Sequence, residues 1–94
     1  MNKAVTKEDI RKLRNTNVYK MWRRQVLINA NYLCQDCFER GIIRPAQEAH
    51  HIKPLKTHWK LRLDINNGQA LCQSCHNEKE NPSKLQIFMA KRGG

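Results

Sequence analysis

Several things are missing from this sequence, and each absence closes a class of explanation. No apolar run near the N terminus has the form of a secretory leader, and no stretch is long enough to span a bilayer, so the expected setting is the cytoplasm, without a membrane partner. No helix-turn-helix, no array of zinc fingers and no long linker is visible, so target choice would have to come from partners or weak contacts. Acidic side chains are few: eight Asp and Glu stand against eighteen Lys and Arg, a net charge of +10. Such an excess favours a polyanionic partner, most simply nucleic acid, because each neutralised phosphate releases condensed counterions. The excess is uneven, since residues 1–31 hold eight basic and two acidic side chains and residues 32–94 hold ten and six.

Cysteine is scarce too, but its four copies are placed in two pairs, Cys34-x-x-Cys37 and Cys72-x-x-Cys75. This spacing lets both thiolates of a pair reach one tetrahedral zinc. A disulfide pairing fits poorly with an intracellular chain, and a redox Cys-x-x-Cys would want a thioredoxin-like βαβ pattern that is not present. The expectation is a structural four-cysteine zinc, with three cysteines plus His76 as the alternative. Ninety-four residues bury only a small core, and such a chain often leans on a metal.

The chain is read as one α+β domain over residues 1–94. Residues 1–31 form a basic helical part, 32–81 a zinc-stapled core, and 82–94 a last helix and tail. Thr6 caps a first helix, with Asp9 where an acid favours the dipole, and the polar break Asn15-Thr16-Asn17 ends it. A second helix runs from about Val18 to Asn29. Its apolar side includes Trp22, read as core, and its wet side carries Arg23 and Arg24, candidates for phosphate contact. A strand is expected near Gln47 to Ile52. A basic loop follows with Lys56, Lys60 and Arg62, further candidates to line a nucleic-acid path, and with His58 at the surface and Trp59 as a cover for the core. Asn67-Gly68 reads as a tight-turn dipeptide before a short strand near Gln69 to Leu71. A helix from about Ser74 to Glu80 stops before Asn81-Pro82, and Ser83 caps a last one from Lys84 to about Ala90.

The adjacent pair His50-His51 carries the chemistry. A metal-bound imidazole has given up the lone pair that a general base needs, so one histidine cannot do both jobs. Two neighbours can divide them, and successive strand residues point to opposite faces.

His50-His51-Ile52, Asn67, the run Cys72-Gln73-Ser74-Cys75-His76 and Lys79, with Cys34 and Cys37 upstream, resemble the HNH (ββα-metal) endonuclease family in its small zinc-stapled branch. The resemblance spans roughly Trp22 to Glu80 and implies two strands and a helix around a catalytic ion, with flanking helices and a structural zinc. It implies that His51 is the base, that Asn67 orients it (Asn66 if the register slips by one), and that His50 and His76 hold one divalent cation: Mg, Mn, Co, Ni or Zn. Lys79 joins the DNA contacts. Glu80, four residues after His76, could complete the metal shell, although a solvent-facing role is the expectation for it. The implied activity is hydrolysis of DNA phosphodiesters with little sequence specificity, by nicking or double-strand cleavage. The small free-standing members it resembles are carried by phages, some beside the DNA-packaging terminase, which implies a host-cytoplasm setting. The competing classes are a zinc-stapled DNA-binding module without catalysis and, more weakly, a zinc adaptor for a protein partner. The second leaves the charge and the histidine pair unused, and the first needs none of His50, His51, Asn67 and His76 together.

Overall fold

A computed structural model describes residues 4–80; the expected helix after Ser83 and the tail lie outside them. Two helices lead the chain. The first, α1 (Lys7–Arg14), opens on a reciprocal capping box in which Thr6 Oγ1 accepts from Asp9 N–H and the Asp9 carboxylate accepts from Thr6 N–H. Thr16 then caps α2 (Asn17–Asn29) by accepting from Tyr19 N–H, so two residues separate the helices. The exit of α2 is a left-handed turn. Asn31 and Tyr32 have φ of 54° and 57°, while Asn31 N–H donates to Ile28 O and Tyr32 N–H to Leu27 O, which satisfies the last carbonyls of the helix.

The first cysteine pair closes a five-residue helix, α3 (Gln35–Glu39), with Cys34 as its cap. The sequence signals no helix there. A segment this short has no periodicity to read, and its helix is set by the knuckle itself. Strand β1 (Glu48–His51) pairs antiparallel with β2 (Gly68–Leu71), His50 facing Gln69 and His51 facing Gly68. Between them lie two 3₁₀ turns, Trp59–Leu61 and Ile65–Asn67. The last described helix, α4 (Gln73–Glu80), starts inside the second cysteine pair.

The sheet has two strands, so each face must find its own cover. One face, with Ala49 and Ala70, packs on Trp22, Val26 and Leu27 of α2. The small residues let the helix approach closely. Gly68 is part of that fit and not of a tight turn, since its backbone is extended (φ −107°, ψ 138°). A Cβ there would overlap the Val26 Cγ2 methyl and meet Trp22 Cζ2 at 3.0 Å. The opposite face carries Leu71, which is fully buried among the four cysteines. The molecule is thus a small α+β unit built on a ββα core.

Candidate active site and metal centres

His51 lies on the α2 face of β1. Its imidazole stacks on the Trp22 indole with ring centres 4.2 Å apart and planes within 9°. Trp22 is held in turn by its Nε1–H, which donates to Asp64 O at 2.9 Å, so the ring expected as core also seats the histidine. His51 Nε2 lies 2.9 Å from Arg62 O. A carbonyl only accepts, so Nε2 carries the proton and Nδ1 keeps the lone pair. Burial lowers the His51 pKa, helped by the nearby charges of His50 and Arg14 and opposed by the Arg62 carbonyl, so the ring is favoured as the neutral base.

Asn67 plays a different part from the one expected. Its carboxamide makes no hydrogen bond to His51; it accepts from Lys53 N–H at 2.8 Å and donates to Lys53 O and Leu61 O at 3.2 and 3.3 Å. The side chain is 5% exposed and ties both ends of the inter-strand loop, next to the Arg62 carbonyl that does hold His51. Asn66, the alternative, is exposed, and its N–H donates to the Asp64 carboxylate.

His50 points to the other face, where it meets α4. Its ring lies edge-on to His76 with centres 5.7 Å apart. Glu80 Oε1 sits 3.3 Å from His50 Nδ1 and 3.2 Å from His76 Nε2, and the Nδ1 atoms of both histidines are buried without a hydrogen bond. Ligand distances near 2.1 Å place neighbouring donors roughly 3.0 to 3.4 Å apart, so an ion fits among the three. Glu80 is half exposed to solvent, as expected, yet its carboxylate oxygen also lies against both histidines, as the four-residue spacing from His76 allowed. Burial is the main cause that lowers the His50 pKa, which keeps the ring available as a ligand.

The four cysteines meet beneath the sheet, all buried and unpaired by disulfides. Cys37 Sγ is 3.9 Å from Cys72 Sγ and 3.8 Å from Cys75 Sγ. Thiolates around a tetrahedral zinc at about 2.3 Å stand roughly 3.8 Å apart, so the cluster fits that ion. His76, the alternative fourth ligand, lies instead with His50 and Glu80 in the other cluster. Burial and the surrounding thiols push Cys75 up to about 12, while hydrogen bonds from Cys75 and the other thiols bring Cys72 down to about 7 against its burial. Asp36, inside the first pair, accepts from Gln69 Nε2 at 3.1 Å and pairs with Lys79 Nζ at 3.3 Å. This links the knuckle to β2 and α4.

A cleft of about 500 Å³ opens over both histidines. Of the basic residues expected to line a DNA path, Arg23, Lys56 and Lys79 border it, and Lys79 is drawn to Asp36. Arg24, Lys60 and Arg62 do not border it. Arg24 and Lys60 are exposed elsewhere, and Arg62 stacks 5.0 Å over Trp59 and donates to Trp59 O. Trp59 is accordingly half-buried beneath a cation. His58 is exposed, with Nδ1 2.8 Å from Thr57 Oγ1. Arg14 also borders the cleft and was not singled out in the sequence; its signal was its four-residue spacing from Ile10.

A family model described as HNH endonuclease matches residues 34–82. No curated protein matches. Among solved structures, the chain is similar to an HNH endonuclease of the deep-sea thermophilic bacteriophage GVE2, crystallised with manganese ion. The two are 38% identical with a TM-score of 0.77, over 84% of this chain and 86% of that one.

Proposed function

This chain belongs to the HNH endonuclease family, a DNA-cleaving enzyme by that membership, and we propose that it hydrolyses phosphodiesters with His51 as base beside an ion held by His50, His76 and Glu80. The observation that carries the reading is the division of labour within β1. One histidine joins the three-donor cluster, and its neighbour keeps a free Nδ1 lone pair while Nε2 is held by a carbonyl. His50, His76 and Glu80 would hold a divalent ion, which would supply Lewis-acid stabilisation of the charge that develops on the phosphodiester. His51 Nδ1 takes the proton of the attacking water. The Arg62 carbonyl fixes the tautomer and stabilises the imidazolium that forms, and Trp22 keeps the ring from turning. Asn67 is a positioning residue, acting on His51 through the loop it pins. Products then carry 5′-phosphate and 3′-hydroxyl ends.

The ligand set of two nitrogens and one carboxylate suits Mn, Co, Ni and Zn and tolerates Mg. The manganese in the phage relative supports Mn as the first ion to try. The cysteine cluster would hold a structural zinc. Low sequence specificity follows if the cleft grips mainly backbone. Likeness to a phage endonuclease supports a phage-encoded enzyme working in the host cytoplasm, and we extend this to service beside the DNA-packaging machinery. Among the described residues no helix is long and apolar enough to cross a membrane.

Plasmid cleavage tests the proposal, with each of the five ions added to protein that retains its cysteine-bound zinc but has been freed of other divalent ions, and His51→Ala compared at equal cysteine-bound zinc. Cutting by wild type, with a loss of about 10²- to 10⁴-fold in His51→Ala, is expected. DNA binding by both without cutting in any ion would make the chain a binding module.

A further inference from the structure

Helices α1 and α2 lie outside the residues matched by the family model, yet they build one wall of the cleft. Each puts residues spaced four apart into it: Ile10 and Arg14 from α1, Tyr19 and Arg23 from α2. Residues at that spacing share a helix face, so each helix offers an apolar or aromatic residue followed by a guanidinium. The two-residue corner at Asn15-Thr16, closed by the Thr16 hydroxyl on Leu13 O at 2.7 Å, brings the two faces together.

The arginines of α1 differ in what they hold. Arg11 donates to both carboxylate oxygens of Glu8 on its own helix. Arg14, one turn later, pairs with no carboxylate among the described residues and lines the same cleft as His51. Arg23 is held in place by an N–H donated to Gln47 O and keeps further donors. The acids at the cleft do not cancel this pair: Glu80 faces the two histidines, which leaves Glu48. An unpaired guanidinium beside the base is suited to an anion in the cleft, and its planar fork suits phosphate oxygens.

We infer that Arg14 is a phosphate-binding residue of this cleft, seating the DNA backbone next to His51, with Arg23 holding a neighbouring phosphate on the same strand. The N-terminal helices are then part of the substrate site and not only a cover for the sheet. The inference rests on the nuclease reading, because it needs DNA backbone as the ligand.

The test is binding of a labelled 20-base-pair duplex at several salt concentrations. Full-length protein in the His51→Ala background with Mn is used, so that the probe is not cut. Arg14→Ala should weaken binding about tenfold and reduce the slope of log K against log salt by roughly 0.9, the value for one lost phosphate contact. Arg14→Lys should keep the slope and regain only part of the affinity. Arg11→Ala removes the same charge from the same helix and should change binding by less than about twofold, since its partner is Glu8. Helical circular dichroism and zinc content check that each variant is folded. An unchanged slope in Arg14→Ala, or an equal loss in Arg11→Ala, would overturn the inference in favour of a general charge effect. If the parent protein binds no DNA and wild type cuts none, the nuclease reading falls first and carries this one with it. If the parent binds, the Arg14 result decides alone.

Discussion

The two faces of the sheet are ordered by different physics. Toward α2 the surface is made of Ala49, Ala70 and Gly68 against Trp22 and Val26, a fit of small residues to large ones that needs no ion. Toward α3 and α4 the only large aliphatic residue in the buried cluster is Leu71, surrounded by four thiols. Among the described residues that side buries no other large aliphatic side chain, and on the reading proposed above a cation held by the thiols would supply its order. The histidine pair straddles the divide: His51 stands on the packed face and His50 on the face of the thiols. A base must hold one tautomer in a dry, fixed place, which packing supplies, whereas a ligand set must close around whatever it binds.

This contrast is most severely tested by taking the zinc away. Cys72→Ser should leave the chain largely unfolded at 25 °C. Structural zinc contributes about 10–16 kcal/mol in small zinc domains, more than most domains have in total. Metal content and thermal melting check it; amide protection persisting in α2 and β1 would show that the packed face stands alone. Next in size is the exposed edge of the other centre, where Glu80→Gln should weaken Mn binding at least tenfold by electron paramagnetic resonance titration, roughly 1.4 kcal/mol, with the melting temperature nearly unchanged. Unchanged affinity would remove Glu80 from the ligand set.

On the packed face, Gly68→Ala should destabilise by about 1–3 kcal/mol, because its methyl group overlaps Val26 and neither β2 nor α2 can yield without moving the other. That corresponds to a fall of roughly 4–8 °C in melting temperature per kcal/mol. Zinc content should be unaffected, which keeps the two faces distinct. The smallest effect is in the pH profile of kcat/KM. Burial disfavours the charged form of His51, so its pKa lies below the ordinary 6.5, and the base stays deprotonated as pH falls past that point. The acid limb should therefore lie on the acid side of 6.5. A limb at or above it would mean that burial is not what sets this group.

How much of this could be read from the chain varies with the kind of signal. Helix ends came out within a residue or so because Thr6, Asp9 and the Asn15-Thr16-Asn17 break are local signals with local causes. The cysteine pairs and the doubled histidine were legible because metal chemistry demands those residue types at short spacings. Gly68 was misread, since Asn-Gly is a turn signal and the actual reason, contact with a helix some forty residues earlier, leaves no local mark. The partner of His51 is a main-chain carbonyl, which any residue at position 62 would supply. For the same reason Asn67 was expected to hold His51 directly, whereas its carboxamide bonds Lys53 and Leu61. Charge was the least readable feature. Arg11 and Arg14 look alike in sequence, and only the fold distinguishes one bound to Glu8 from one facing the cleft.

The stack of His51 on Trp22 has an optical consequence. The protein has two tryptophans, and they report on different things: Trp59 lies under Arg62 on the loop, while Trp22 lies 4.2 Å from the ring that changes charge. A protonated imidazole at that range quenches indole emission, so replacing Trp59 with Phe leaves a single tryptophan, excited apart from the two tyrosines at long wavelength, that dims as His51 gains its proton. The occupancy of the base can then be followed by light in the intact protein, without substrate and without added dye.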